Sequence, residues 1–487
     1  MESHDKNTTH RLPETHRRII LFPLPFQGHI NPMFQLANIL HIQGFKITII
    51  HTQYNSPNHS SYPQFRFRAI EDRFSEVDHL RSTNRDPSYF IKYLNRSCED
   101  PFKGCLIELL DEEPVACLIA DAMFYFTQAV ADELKLPRMV LRTSSLGCAI
   151  GYGAIPFSSK EGRFNLMKQG MVFVSTKLKA GSWWLKAESW KLLAVADPGY
   201  EAFVPEYPLL KGKDMLKIAI NPEGYGDLVT NMLKQMKASC GLIWNTFKEL
   251  EEPELETINQ DFRVPSFTLG PFHKYFPASS SSLINQDRNI ISWLDTQPPK
   301  CVIYTSFGSV ARIKDVEFQE VAYALENTSS PFLWVVRPGM VLGSEWVESL
   351  PEKFLERVGD RGRIVKWCPQ QEVLAHPATG CFWTHSGWNS TLESICEGVP
   401  MICSPCFADQ PIVARYVNDV WKIGILLDDG FDRVGIGMAI KRITMDKEGE
   451  EMRTRISHLK EKANLSLDDG GSSNRSLKSL VDYISSF

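Results

Sequence analysis

Residues 367–410 read WCPQQEVLAHPATGCFWTHSGWNSTLESICEGVPMICSPCFADQ, and they carry the strongest local signal for the fold. The apolar run at 381–384 predicts a buried strand that ends at His385. A turn of two small residues follows, and Asn389 and Ser390 favour a helix start. A helix that begins directly after a strand offers free backbone N–H groups to an anion. The same residues are equally typical of a plain strand–helix turn with a capping residue, so the turn alone leaves both interpretations open.

The alternation of apolar runs and helical patterns extends outward from this stretch. In the second half, strands are predicted at 302–306, 332–336, 363–366, 381–384 and 401–404, and helices at 316–325, 391–397 and 408–420. In the first half, strands are predicted at 18–23, 46–51, 115–120 and 137–141, with helices at 31–42 and 124–134. This order predicts an α/β fold of two doubly wound, Rossmann-like domains that face each other across a cleft.

Composition limits the class of protein. The chain has 487 residues, of which 43% are hydrophobic and 23% are charged. This excludes a disordered chain, a collagen-like repeat and a disulfide-rich miniprotein, and the length favours two domains of roughly 200 residues each. The net charge of −5 disfavours a nucleic-acid-binding protein, which would carry an excess of basic residues.

The sequence shows no targeting or membrane signal. The first apolar stretch, 19–26, is too short to span a bilayer and contains two prolines. The 11 cysteines are scattered and odd in number, which is typical of reduced thiols in a cytosolic protein. We therefore expect a cytoplasmic, monomeric protein without a membrane span.

The domain boundaries are predicted where the alternation stops and restarts. An N-terminal domain covers 1–264, a linker rich in proline and serine covers 265–286, and a C-terminal domain covers 287–470. Residues 163–196 form an atypical insertion with three tryptophans and many lysines. This insertion is interpreted as a helical excursion or substrate lid, as a tolerated surface insertion, or as a stretch that the mature protein lacks.

A candidate acid–base pair lies in the N-terminal half. His29 follows the strand at 18–23, and Asp121 directly follows the strand at 115–120. If these strands are neighbours in the sheet, both side chains enter the crevice at the carboxyl ends of the strands. A carboxylate that orients an imidazole makes it a general base. For His29 alone, a capping or packing role is the competing interpretation.

The whole stretch 367–410 resembles the C-terminal signature of plant UDP-sugar-dependent small-molecule glycosyltransferases, which belong to glycosyltransferase family one and have the GT-B fold. The resemblance rests on Trp367, Pro369, Gln370, His376, His385, Ser386, Gly387, Trp388, Asn389, Ser390, Glu393, Gly398, Val399, Pro400, Asp409 and Gln410. It covers nearly the whole chain apart from 163–196 and looks closest to the branch that glucosylates terpenoid glycosides, cytokinins and small phenols or acids. It implies an N-terminal acceptor domain, a C-terminal UDP-sugar domain and a final helix at 471–487 that packs back on the first domain.

The resemblance also implies a donor site residue by residue. The uracil would stack on Trp367 and contact the backbone of Cys368, and the ribose would bind Gln370 and Glu393. The other donor-binding positions are His385, Asn389 and Ser390 for the diphosphate, Asp409 and Gln410 for the sugar, Gly308 and Ser309 on a second phosphate-side loop, Thr143 beside the sugar, and Trp388. In this family, Gln at the position of Gln410 goes with glucose, whereas His there goes with galactose.

The activity that the resemblance implies is inverting glucosyl transfer from UDP-glucose to a small apolar plant metabolite. His29 and Asp121 match the catalytic dyad of the family, and Phe22, Gly28 and Leu146 are the predicted acceptor-binding residues. The product would be a β-glucoside on a hydroxyl, amine or carboxyl group. UDP-glucose is then a co-substrate, and we expect no cofactor. No D-x-D triplet occurs, which argues against a metal-bridged diphosphate.

A non-catalytic function is the alternative. In this interpretation, the insertion at 163–196 has impaired the acceptor pocket, and the protein binds a sugar nucleotide or a metabolite without transferring the sugar.

Overall fold

The computed structural model describes residues 17–74, 87–154, 201–204, 207–218, 222–276, 284–428 and 430–487. These residues form two parallel sheets covered by helices and one short antiparallel pair of strands. The insertion predicted at 163–196 lies outside the described residues, as do residues 277–283 of the predicted linker.

The first sheet is parallel throughout. The strands in this half of the chain are β1 (Arg18–Phe22), β2 (Lys46–Thr52), β3 (Arg66–Ile70), β4 (Val115–Asp121), β5 (Arg138–Arg142), β6 (Phe203–Val204), β7 (Tyr207–Lys211), β8 (Gly241–Trp244) and β9 (Ser266–Thr268). The order in the sheet is β3-β2-β1-β4-β5-β8-β9, and β6 pairs separately with β7.

The second sheet is also parallel. Its strands are β10 (Val302–Ser306), β11 (Phe332–Val335), β12 (Gly362–Val365), β13 (Thr379–Thr384), β14 (Met401–Cys403) and β15 (Gly424–Leu426). Their order in the sheet is β12-β11-β10-β13-β14-β15. The predicted arrangement of two doubly wound domains is therefore confirmed.

Helices connect the strands and cover both sheets. The helices of the first half are α1 (Gln27–Ile42), α2 (Pro87–Ser97), α3 (Glu99–Glu112), α4 (Thr127–Glu133), α5 (Leu146–Ala154), α6 (Gly212–Ile218), α7 (Pro222–Ala238), α8 (Glu252–Phe262) and α9 (Phe272–Tyr275). The helices of the second half are α10 (Asn289–Leu294), α11 (Asp315–Asn327), α12 (Phe354–Val358), α13 (Gln370–Ala375), α14 (Trp388–Glu397), α15 (Gln410–Arg415), α16 (Arg433–Thr444), α17 (Lys447–Leu467) and α18 (Ser472–Ser485). Short 3₁₀ turns lie at His59–Ser61 and Gly359–Arg361, and a π-helical turn at Tyr416–Val420 extends α15.

Both faces of the first sheet are buried. In β1, Ile19 and Leu21 belong to the apolar cluster on one face, and Ile20 and Phe22 belong to the cluster on the other. A strand covered by helices on both faces has no polar side, which explains its continuous apolar sequence.

The chain order reverses once in each sheet. The reversal lies between β1 and β4 in the first sheet and between β10 and β13 in the second. Ligands of open α/β sheets bind in the crevice at such a reversal, outside the carboxyl ends of the strands. The loops that follow these four strands therefore position the candidate site.

The linker predicted at 265–286 begins too early. Ser266–Thr268 forms the edge strand β9, and Leu269 is buried in the core of the first domain. The Gln35 side chain of α1 donates to the Phe276 carbonyl at 3.1 Å, which holds the end of α9 against the same domain. Proline and serine suggested a linker here, but the apolar residues among them complete the first sheet.

The last helix, α18, returns to the first domain. Its residues Leu477, Leu480 and Ile484 are buried in the apolar cluster of the first sheet. The Tyr483 hydroxyl donates to the Cys240 carbonyl at 2.7 Å.

Candidate active site

A cleft of about 470 Å³ lies between the two domains, which is within the usual size range of small-molecule sites. The predicted site residues that line it are Gly28, His29, Thr143, Gly308, Ser309, Trp367, Cys368, Gln370, His385, Trp388, Asn389, Ser390, Glu393, Asp409 and Gln410. The fold thus brings residues from opposite halves of the chain into one cleft.

His29 and Asp121 form a hydrogen-bonded pair at the first chain reversal. The His29 Nδ1 and Asp121 Oδ2 atoms are 2.7 Å apart, and the two side chains are 20% and 1% exposed. An ionised carboxylate can only accept a hydrogen bond, so this contact places the proton of a neutral His29 on Nδ1 and leaves Nε2 as the basic nitrogen. The Met123 N–H donates to Asp121 Oδ1 at 2.9 Å and fixes the carboxylate. The arrangement is suited to a general base.

The residues after β5 connect this pair to the second domain. The Thr143 hydroxyl oxygen is 3.0 Å from His29 Nδ1. The Ser144 hydroxyl donates to the Asp409 carboxylate across the cleft. Thr143 therefore contacts the imidazole directly, and its predicted contact with the donor sugar stays a prediction.

His385 packs against glycines in the second domain. A Cβ atom at Gly308 or at Gly387 would lie only 2.5 Å from His385 Nε2, so both positions require glycine. Gly308 also has a φ of +73°, which is the left-handed region that favours glycine. Burial lowers the pKa of His385 to about 4, so its ring is uncharged near neutral pH. It can therefore stabilise an anion as a hydrogen-bond donor but not as a cation.

Helix α14 begins at the cleft. Trp388 Nε1 donates to the Asn245 carbonyl, and Asn389 Nδ2 donates to the Gly28 carbonyl, both at 2.8 Å. Both acceptors belong to the first domain. The first turn of the helix has backbone N–H groups without intrahelical partners, and the helix dipole favours negative charge there. The site can therefore bind an anion such as a phosphate.

Gln370 and Glu393 form a polar group at the same end of the cleft. Gln370 Nε2 donates to Glu393 Oε2 at 2.7 Å and to Ser390 Oγ at 2.9 Å. Gln371 Nε2 donates to the other oxygen of Glu393 at 2.8 Å. Burial raises the pKa of Glu393. A carboxylate held in this way can accept the protons of two neighbouring hydroxyl groups.

Trp367 and Cys368 differ in exposure. Trp367 is half-buried and lines the cleft, so an aromatic face is accessible to a flat ring. Cys368 is only 2% exposed, and burial raises the pKa of its thiol to about 12. Its thiol is therefore neutral and buried, so a ligand at this position would contact the Cys368 backbone.

The Gln410 side chain is fixed at the start of α15. Its Oε1 accepts the N–H groups of Cys406 and Phe407 at 2.8 and 3.2 Å. This leaves the Nε2 group as a donor toward the cleft, next to the carboxylate of Asp409.

The structure corrects the acceptor-pocket prediction for Phe22 and Leu146. Both are 0% exposed and do not line the cleft. The Phe22 ring stacks on Phe124 with centroids 4.2 Å apart, and Leu146 belongs to the same apolar core. Both residues are close in sequence to residues that line the cleft, but their own side chains pack in the core.

Sequence analysis missed several residues of the first domain that line the cleft. These are Phe26, Met123, Arg142, Ile218, Tyr225 and Leu228. Arg142 is the last residue of β5, and Met123 lies just after β4, so their place at strand ends could have indicated them. The others lie on helices or before α1, where apolar side chains give no such signal.

Among the residues that the structure describes, no group of three or more His, Cys, Asp or Glu side chains could hold a metal ion. No helix in the described ranges is long and apolar enough to cross a membrane.

Comparisons with known proteins agree with this geometry. The family model of UDP-glucoronosyl and UDP-glucosyl transferase matches residues 286–466. UDP-glycosyltransferase 76B1 of Arabidopsis thaliana is 45% identical, over 97% of this chain and 99% of that protein. UDP-glycosyltransferase 76G1 of Stevia rebaudiana is 46% identical, over 99% of this chain and 100% of that protein. The crystal structure of Os79 from O. sativa in complex with UDP has a TM-score of 0.76 at 25% identity and covers 96% of this chain and 100% of that one. The predicted GT-B architecture is confirmed by this match.

Proposed function

Because the chain belongs to the plant UDP-glycosyltransferases of glycosyltransferase family one, which transfer a sugar from a UDP-sugar to small metabolites, we propose that it is an inverting glucosyltransferase. It moves glucose from UDP-glucose to a hydroxyl, amine or carboxyl group of a small apolar metabolite and forms a β-glucoside. The observation that carries the proposal is the 2.7 Å contact between His29 Nδ1 and the buried Asp121 Oδ2, because His29 lines the same cleft as the start of α14.

His29 is the general base of the proposed reaction. Its Nε2 takes the proton of the acceptor hydroxyl, and the oxygen attacks the anomeric carbon of glucose on the face opposite the diphosphate. The new C–O bond forms as the bond between the anomeric carbon and the β-phosphate oxygen breaks. The electron pair of that bond leaves with UDP, and the α-linked donor gives a β-linked product. Asp121 stabilises the imidazolium that results.

The second domain supplies the donor site. Trp367 stacks on the uracil, the backbone of Cys368 contacts its edge, and Gln370 and Glu393 hold the ribose. The free N–H groups at the start of α14, with Asn389, stabilise the charge that develops on the departing diphosphate.

His385 and the loop at Gly308 and Ser309 complete the phosphate site. The neutral ring of His385 donates a hydrogen bond to a phosphate oxygen, and the glycine leaves room for that ring. These groups are half-buried and line the cleft, so they are in place before the reaction, which limits the reorganisation that the transition state requires.

Glucose is the proposed sugar because of Asp409 and Gln410. The amide of Gln410 is held by two backbone N–H groups, so its free donor has one defined direction. Asp409 accepts hydroxyl protons beside it. An amide donor and a carboxylate acceptor are suited to adjacent sugar hydroxyls.

A reducing compartment is the proposed location. All 11 cysteines are free thiols, and most of them are buried. The cytosol keeps thiols reduced, so many unpaired cysteines are typical of cytosolic proteins. We place the enzyme there, as a monomer.

The central test is acceptor-dependent release of UDP. The full chain is incubated with UDP-glucose alone and with a panel of hydroxylated small molecules, and UDP and glucosides are quantified. The enzyme releases UDP in proportion to glucoside and only when an acceptor is present. A protein that binds UDP-glucose but releases no UDP with any acceptor would be the non-catalytic binder instead.

The donor preference needs its own measurement. UDP-glucose and UDP-galactose compete at equal concentration for one acceptor, and the two products are separated. We expect mainly glucoside. An equal yield of galactoside would contradict the role given to Gln410 while leaving the transferase activity intact.

A further inference from the structure

Arg142, the last residue of β5, is a buried cation in the wall of the cleft. It lines the acceptor side and is 2% exposed. Its Nε has no hydrogen-bond partner among the described residues. The contact that its guanidinium makes is with the Tyr152 ring, whose centroid is 5.8 Å away. A buried charge without a partner is strongly unfavourable, so its presence in a ligand cleft indicates a ligand of opposite charge.

Two other cationic side chains of this region, unlike Arg142, have hydrogen-bond or ion-pair partners within the protein. Arg138 is the first residue of the same strand, and its Nε and Nη1 donate to Thr127 and Gln128, both at 2.8 Å. Lys274 also lines the cleft, but it pairs with Glu397 at 2.7 Å. Arg142 has no such partner among the described residues, which separates it from both.

The surroundings of Arg142 favour an ionic contact with a small molecule. The apolar side chains of Ile91, Met123 and Leu228 line the same cleft, and apolar surroundings strengthen an ionic contact. The hydroxyl groups of Tyr152 and Tyr225, 2.7 Å apart, add a polar group beside them. In such a site, a guanidinium binds a carboxylate strongly and in a defined orientation.

We propose, on the basis of the proposed function, that Arg142 is a specificity-determining residue that binds the carboxylate of the acceptor. The substrate class is then a small apolar hydroxy acid. Its carboxylate pairs with Arg142, and a separate hydroxyl group gives its proton to His29. Arg142 and His29 line the same cleft, and the residue next to Arg142, Thr143, has its hydroxyl oxygen 3.0 Å from His29 Nδ1. The carboxylate orients the acceptor and is not the attacking group.

The test compares acids with their neutral esters. The probes are mandelate and 4-(hydroxymethyl)benzoate, and each is compared with its methyl ester. The attacking hydroxyl group is the same in the acid and in its ester. kcat/KM is measured for wild type, Arg142→Gln, Arg142→Lys and, as the control, Arg138→Lys. We expect the wild type to prefer at least one acid. Arg142→Gln lowers the acid-to-ester ratio about 10- to 100-fold, because a hydrogen-bonded ion pair is lost.

The variants separate specificity from folding. Arg142→Lys keeps the charge without the planar fork and retains part of the preference, and Arg138→Lys leaves the ratio unchanged. Melting temperature and UDP affinity are measured for each variant to show that the donor domain is intact. The wild-type ratio is decisive even if Arg142→Gln does not fold.

Three results would overturn the proposal. The first is a wild type that uses each ester as well as its acid, and the second is an Arg142→Gln variant that folds and keeps the preference. The third is a glucose ester as the product of the acids, recognised by cleavage with hydroxylamine, because the carboxylate would then be the attacking group. In each case glucosyl transfer itself would remain established. Absence of turnover with these probes and with every acceptor in the wider panel would contradict the glucosyltransferase proposal itself.

Discussion

Asn389 Nδ2 donates a hydrogen bond to the carbonyl oxygen of Gly28 at 2.8 Å, and this contact joins the helix starts of the two domains. Gly28 lies in the first turn of α1, and the residue four positions later in that helix is Pro32. Proline has no N–H, so the Gly28 carbonyl has no intrahelical donor and is free to accept the amide of the other domain. The hydrogen bond that Pro32 cannot donate within α1 is thus replaced by one from the other domain.

Replacement of Asn389 tests this contact together with the donor site. We expect Asn389→Ala to raise the KM for UDP-glucose about tenfold, because it removes one hydrogen-bond donor. Asn389→Asp should raise it further, since a carboxylate faces both the Gly28 carbonyl and the diphosphate. Steady-state kinetics with fixed acceptor measures both. Asn464→Ala, which changes an exposed side chain of α17 outside the cleft, is the control. An equal rise in KM in that variant would contradict the role of Asn389.

Substitution of His29 tests its proposed role as the general base. His29→Ala should lower kcat about 10²- to 10⁴-fold, the usual contribution of a general base, while UDP affinity stays within threefold of the wild type. Asp121→Asn should also lower kcat, since an amide no longer stabilises the imidazolium. Single-turnover kinetics and calorimetric titration with UDP provide the two measurements. Near-normal turnover in His29→Ala would show that another group removes the proton.

The role of Gly308 in the phosphate site can be tested against a second glycine of similar backbone geometry, Gly339. Gly308 and Gly339 have φ of +73° and +70°, but a Cβ atom at Gly308 would meet the His385 ring, whereas at Gly339 it would meet no atom within 4 Å. Alanine at either position strains the backbone by about 1–2 kcal/mol. We expect only Gly308→Ala to weaken UDP binding, by tenfold or more, because it also displaces His385. Comparable UDP affinities in the two variants would contradict the phosphate role of this loop.

Glu251 is expected to make stability depend on pH. It is 0% exposed and accepts hydrogen bonds from the Gly147 N–H at 3.1 Å and the Thr246 hydroxyl at 2.7 Å. Burial raises its pKa from 4.5 to about 7. The folded protein therefore binds this proton more tightly than the unfolded chain. The stabilisation is complete below about pH 4.5 and is lost as pH rises through 7.

The size of this effect is about 3 kcal/mol, from about 1.4 kcal/mol for each pKa unit. Urea unfolding at pH 5 and pH 8 measures it. The free energy of unfolding should fall more steeply with pH in the wild type than in Glu251→Gln. Glu252→Gln, at an exposed neighbouring carboxylate, should behave as the wild type does. If Glu251→Gln kept the full pH dependence, another group would be responsible.

Many residues that line the cleft could be predicted because they are close along the chain. The landmarks from Trp367 to Gln410 lie within one contiguous stretch that forms α13, β13, α14 and β14 and reaches the start of α15, so local sequence largely sets their relative positions. His29 and Asp121 are 92 positions apart, but each follows an apolar strand. The parallel pairing of β1 with β4 then brings the two strand ends together.

The acceptor pocket could not be predicted in the same way. Both faces of the first sheet are apolar, so the sequence does not indicate which side chains turn toward the cleft and which toward the core. Phe22 was predicted to line the pocket, but its ring packs on Phe124. The linker was placed too early for a related reason, because β9 is short and only its pairing with β8 makes it a strand.

The sequence was enough to identify the fold class, the family and the residues predicted to bind the donor, because these depend on local patterns and on a long contiguous signature. The three-dimensional arrangement was needed to show that Asn389 bonds to Gly28, that His385 is neutral, and that Arg142 Nε has no hydrogen-bond partner among the described residues. These properties depend on burial and on contacts between distant segments. Burial sets the cost of a charge, and no local pattern of residues specifies which distant groups share a cleft.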